Sequence, residues 1–147
     1  MIDLFSLAWL HHAVSWLLVP ALAALLFACA AALVEAGIAV GERFHGLGRL
    51  GAAGNVGQVH AVARRRLERA DLLARIPPML GLMATIIPLG PGLAALGRGE
   101  PDKLASAVTV AFDATVLGLV AGIAGLVIGK LRRRWYEETL EAMERAA

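Results

Sequence analysis

The sequence predicts an all-α membrane protein with three transmembrane helices, its N-terminus outside, its C-terminus cytoplasmic, and helical cytoplasmic extensions. Three observations carry that prediction. The 147 residues are 59% hydrophobic, with 16 further glycines and only 18% charged, too few polar groups to coat a soluble particle of this size. Uncharged runs recur at lengths that match the roughly 30 Å hydrocarbon core of a bilayer, which takes about 20 helical residues to cross. The basic residues gather on alternate sides of those runs. A soluble enzyme, a secreted disulfide scaffold and a disordered chain are thereby excluded. The single cysteine, Cys29, can form no internal disulfide and no zinc cluster. The arginines flank apolar spans without interleaved aromatics, which argues against nucleic-acid binding.

The first run, residues 4–34, holds no charge. It exceeds one bilayer crossing, so the span is placed at 7–34 with its start along the interface, where Trp9, His11 and His12 are solvated. Residues 26–29, Leu-Phe-Ala-Cys, resemble a lipoprotein cleavage box. Asp3, however, stands where a signal peptide carries basic residues, and the apolar stretch is too long, so a retained span is expected. Residues 35–75 form a cytoplasmic loop, glycine-dotted over 41–57 and then amphipathic, with Val56, Val59, Ala63, Leu67 and Ala70 near helical spacing. The second span covers 76–97, and 98–103 is the outer loop. There the pair Pro77-Pro78 suits a helix start, and Pro88 and Pro91 remove backbone bonds and bend the outer half. The third span, 104–129, contains one charge, Asp113, and continues as a cytoplasmic helix over 130–147.

Orientation follows from the basic residues. Seven arginines lie between spans one and two, and Lys130, Arg132, Arg133, Arg134 and Arg145 follow span three, against only Arg98 and Lys103 between spans two and three. Twelve against two places the long loop and the C-terminus in the cytoplasm, and the whole chain reads as one integral membrane unit.

Several patterns are candidates for chemistry. Residues 46–51, Gly-Leu-Gly-Arg-Leu-Gly, match a dinucleotide fingerprint, but no βαβ unit surrounds them, so a flexible loop is the expected reading. His11 and His12 point about 100° apart on a helix and lack a third ligand, so no metal site is expected there. No residue set calls for a cofactor or for covalent catalysis. The strongest pattern is a small-residue face in span three: Ala111, Thr115, Gly118, Gly122, Gly125 and Gly129, spaced 4, 3, 4, 3, 4. Span two repeats it in Gly81, Thr85, Pro88 and Gly92. Such faces let helices approach closely in lipid. At 1.5 Å per residue, Thr85 lies about 14 Å from the inner end of its span and Thr115 about 17 Å from the outer end of its own. In antiparallel helices both threonines therefore fall near mid-membrane, as packing contacts or as pore lining. Asp113 is about 200° from Thr115, nearly opposite that face. A mid-membrane aspartate costs about 2.5–3.5 kcal/mol, so it should meet protein or water, as a structural contact or a proton relay.

Residues 111–119, Ala-Phe-Asp-Ala-Thr-Val-Leu-Gly-Leu, are similar to the last-helix signature A-x-x-A-T-x-x-G-L of the MotA/TolQ/ExbB proton-channel family. Residues 78–86, Pro-Met-Leu-Gly-Leu-Met-Ala-Thr-Ile, resemble the preceding helix of that family. The resemblance spans roughly residues 76–135 and implies a short, three-span member without enzymatic activity. It implies a pentamer of this chain around two copies of a single-span partner of the ExbD/TolR/MotB kind, which supplies the membrane aspartate. By position Thr85 and Thr115 match the pore threonines of the family. Ion flow, expected to be of H⁺, would then drive rotation and mechanical work at the cell inner membrane. The chain departs from the pattern in Ala84, where glycine is usual, in Pro88 and Pro91, and in Val110, where some members carry an acid. A non-conducting oligomeric scaffold and an intramembrane enzyme using Asp113 with His11 and His12 are the competing readings.

Overall fold

The computed structural model describes residues 4–42 and 56–146. They form three long α-helices: α1 (Leu4–Gly41), α2 (Val56–Gly97) and α3 (Pro101–Ala146). All three are long and apolar enough to cross a membrane. The glycine-rich 46–51 motif lies outside the described residues, as do the side chains of His11 and His12.

Each helix buries a narrow stripe of small residues. On α1 the stripe is Ala21, Leu25, Ala28, Ala32, Glu35, Ala39 and Glu42, and on α3 it is Ala111, Ala114, Gly118, Ala121, Gly125, Ile128 and Arg132. Steps of three and four keep such positions on one side of a helix, as in a coiled-coil seam. Large apolar side chains point the other way: Trp16 is 81% exposed, Phe27 77% and Phe112 65%. That inversion of size suits a chain whose outer surface meets lipid or other apolar partners while close backbone packing holds the helices together.

One expectation about a helix boundary needs correction. Pro77 and Pro78 do not start a helix, because α2 begins at Val56, nearly six turns upstream at about 3.6 residues per turn, and runs unbroken through all four prolines. α1 extends past Glu35, the first charge after the apolar run, to Gly41, beyond the span expected at 7–34. The turn from α2 into α3 is tight. Glu100 N donates to Ala95 O at 3.1 Å and Gly99 N to Leu96 O at 2.9 Å, with Gly99 in the left-handed region at φ 79°. This is the paired closure of a Schellman motif, with glycine at the position that disfavours a Cβ. Pro101 then opens α3 where its missing N–H is no loss, and Asp102 sits in the positively polarised first turn.

The chain divides into two compact units. Residues 1–29 and 76–120 make the first, and residues 30–75 and 121–147 the second. The core of the first is Leu25, Ala84 and Ala114, one from each helix, with Leu22, Cys29 and Leu80 packed around them. The Cys29 thiol donates to Leu117 O at 3.7 Å. In the second, Ala39, Ala70 and Ile128 form one cluster, and Tyr136 packs against Ala63, Leu140 and Met143 in another.

The second unit also holds a buried charge cluster. Arg132 is 0% exposed. Its Nη1 donates to Glu35 Oε2 at 2.7 Å, and its Nε and Nη2 make a two-pronged contact with the Glu42 carboxylate at 3.2 and 3.3 Å. Arg66 pairs with Glu42, and Arg69 approaches Glu35 at 3.8 Å. One guanidinium of α3 thus joins two carboxylates that extend from α1, seven residues apart. Removing one member of a buried cluster strands the other charges, at a cost of about 3–5 kcal/mol, whereas an apolar replacement of the whole set is often neutral. Arg132→Met is therefore expected to lower the melting temperature of the detergent-purified protein strongly, and adding Glu35→Leu and Glu42→Leu should restore most of the loss. A second prediction concerns α2 against α3. A Cβ on Gly118 would lie 2.6 Å from Pro77 O, whereas one on Gly90 meets nothing within 4 Å. Gly118→Ala should destabilise by about 1–3 kcal/mol through overpacking, and Gly90→Ala should be neutral or mildly stabilising in the same thermal assay.

Candidate functional site: a threonine pair between two helices

Within the first unit, α2 and α3 approach at bare backbone. A Cβ on Gly81 would stand 3.0 Å from Ala114 O and 3.4 Å from the Cα atoms of Thr115 and Gly118. Glycine at 81 and 118 therefore sets the separation, and the side chains beside that contact are drawn together. In each helix the next element is an Ala-Thr dipeptide. Ala84 and Ala114 turn into the core against Leu25 of α1, while Thr85 and Thr115, one position on, meet each other in a half-buried site.

The hydrogen bonding of the pair is constrained by its proton count. Each hydroxyl has one proton to donate and two lone pairs to accept. Thr85 Oγ1 lies 2.8 Å from Gly81 O and 3.4 Å from Ala111 O, Thr115 Oγ1 lies 3.0 Å from Ala111 O, and the two hydroxyls are bonded to each other. Only one proton can occupy the shared bond, so one threonine donates to the other and the receiver donates to a backbone carbonyl. Either threonine can take either part. In both arrangements the pair keeps unused lone pairs, which makes it a net acceptor, suited to a cation or to a water carrying an excess proton. The α2 and α3 carbonyls at Gly81 and Ala111 add to that acceptor character.

The remaining positions of interest lie elsewhere. Asp113 is exposed on the surface of the chain and has no hydrogen-bond or ion-pair partner among the described residues. It is not brought to the threonine pair, as the 200° separation along α3 requires. Gly122 is buried, and a Cβ on Gly125 would stand 2.6 Å from Ala74 N, while one on Gly129 would make an ordinary 3.4 Å contact with the Ala70 Cβ. The buried stripe of α3 takes in Ala111, Gly118, Gly122 and Gly125 of the expected small face, with Thr115 and Gly129 half-buried, and widens to include Ala114, Ala121 and Ile128. The physical reason in the first unit is that α3 packs on α1 through Ala114 as well as on α2 through Gly118. No group of three or more His, Cys, Asp or Glu able to hold a metal occurs among the described residues.

The Glu35, Glu42 and Arg132 cluster was not anticipated from the residue pattern. Its signal is present in the sequence: two carboxylates seven apart sit on one face of a helix, and a basic run follows the third span. Reading the arginines only as a count of charge conceals that one of them points inward.

No curated protein and no solved structure matches the chain. A family model does, over residues 52–145, which takes in α2, the turn and nearly all of α3, and with them both threonines. By this match over nearly two thirds of its length, the chain is a member of the MotA/TolQ/ExbB proton channel family.

Proposed function

We propose that this chain is the pore-forming subunit of a complex in the cell inner membrane that turns an ion-motive force, carried by H⁺, into mechanical work. Five copies surround two copies of a single-span partner of the ExbD/TolR/MotB kind, whose membrane aspartate takes up the proton. The observation that carries this reading is the Thr85–Thr115 pair, two bonded hydroxyls with spare acceptor capacity on the two helices covered by the family match. Residues 7–34, 76–97 and 104–129 are the spans, with 35–75 and 130–147 on the cytoplasmic side. The charge distribution supports that orientation, since twelve of the fourteen Lys and Arg flank the cytoplasmic ends and only Arg98 and Lys103 the other.

The threonine pair has two parts to play in such a pore. Its lone pairs offer a stepping point to a proton moving toward the carboxylate of the partner. Its place in a seam held by Gly81 and Gly118 fixes that stepping point against a moving partner. The chain supplies positioning and acceptor groups, and no covalent chemistry.

Two measurements test the proposal. In proteoliposomes holding this chain and a single-span partner of the ExbD/TolR/MotB kind, Thr85→Val and Thr115→Val should each reduce proton flux about tenfold or more, while Thr109→Val, on the exposed side of α3, leaves it unchanged. Abolishing the Na⁺ gradient should have no effect. Equal flux in the wild type and both valine variants would remove the threonines from the pathway. Native mass spectrometry should give five copies of this chain with two of the partner. A closed ring that ignores the partner would instead favour a non-conducting scaffold, in which small residues serve packing alone.

A further inference from the structure

A groove of about 380 Å³ opens on the first unit near the α2–α3 turn. Its walls are Pro88 and Pro91 of α2, Val110 of α3 and Leu18 of α1, and its rim carries Arg98 and Lys103. These are the only basic residues between the two spans, and both border the same groove. Glu100 and Asp102, the acids of the same connection, do not line it. Arg98 has no carboxylate partner among the described residues. Lys103 Nζ holds Glu100 Oε2 at 2.7 Å, which leaves two of its three donors free.

The groove is graded along its length. The cations stand at the turn, Ser106 lies one helical turn deeper, and Val110 marks a level about 10 Å below Lys103. The Ser106 hydroxyl is exposed and has no partner among the described residues. Below it the lining is apolar. A charged rim, a hydroxyl beneath it and an apolar trough match the phosphate, the ester level and the acyl chain of a lipid in sequence. Arg98 and the free donors of Lys103 call for an anion at the head of the groove, which apolar packing against the trough does not by itself supply. Basic sites between membrane helices favour anionic headgroups on the same grounds of charge.

We propose that this groove binds one anionic phospholipid per chain, with its phosphate on Arg98 and Lys103, an ester carbonyl accepting from Ser106, and an acyl chain between Pro88, Pro91, Val110 and Leu18. The lipid wedges against the outer half of α2, where the two prolines leave the carbonyls of Ala84 and Ile87 without their helical donors.

The test uses the full protein in its purified assembly, delipidated and then exposed to phosphatidylglycerol or phosphatidylethanolamine. Native mass spectrometry should show one phosphatidylglycerol per chain, retained at least about fivefold over phosphatidylethanolamine. Arg98→Gln with Lys103→Gln should bring that ratio near one at an unchanged melting temperature. A phosphatidylglycerol with a photoreactive acyl chain should label peptides within residues 88–110. Equal retention of the two lipids, an undiminished preference in the double variant, or labelling confined to other residues would each overturn the proposal. So would efficient chain-to-chain cross-linking through Val110→Cys in a Cys29→Ser background, which would mean that a second copy fills the groove. Lipid adducts are counted without ion flux, so this result is independent of whether the threonine pair conducts.

Discussion

A Cβ on Gly118 would stand 2.6 Å from the Pro77 carbonyl oxygen, and one on Gly125 2.6 Å from Ala74 N, both inside the separation that real carbon atoms keep. Backbone contact between α2 and α3 is therefore available only to glycine at these places, and the rest of the architecture depends on it. Lipid offers apolar side chains no advantage in burying themselves against protein, so helices in a membrane are held by dispersion at short range and by polar contacts. The stripes of alanine and glycine are the means of reaching that range, and the large residues are left to the outer surface. The threonine pair is a product of the same closeness, since two short side chains can bond across a seam only when the backbones nearly touch.

Polar groups take on particular roles in this setting. Arg132, Glu35 and Glu42 are buried but mutually paired, and their attraction acts where little water competes with it. Asp113 is the opposite case, a carboxylate on the surface of a single chain with no partner among the described residues. The two features contrast a charge cluster that one chain satisfies internally with a carboxylate that it leaves open.

Much of this was legible in the sequence because membranes simplify the grammar. Uncharged runs of span length marked all three helices, and the 4, 3, 4 spacing of glycines marked the face of contact between α2 and α3. A matching level for Thr85 and Thr115 followed from counting residues along antiparallel helices, and the structure brings the two hydroxyls into contact. Other features were hidden for definite reasons. Glu35 registered only as the charge that ends a hydropathy run, whereas its partner lies 97 residues away on another helix. Pro77-Pro78 looked like a helix start because proline is most often tolerated there, and only tertiary packing could carry the helix through it. The widening of the α3 stripe to Ala114 depends on where α1 lies, which no periodicity within α3 reports.

The hydroxyl pair has one more property. Its two proton arrangements differ only in which oxygen donates, and the heavy atoms are the same in both. Exchanging them reverses the local dipole with no rearrangement of packing. A rigid seam of glycines thus contains a small, fast-switching element that follows the field of whatever charge stands beside it. In dielectric terms, the close glycine contact of the first unit also carries a polarisable point.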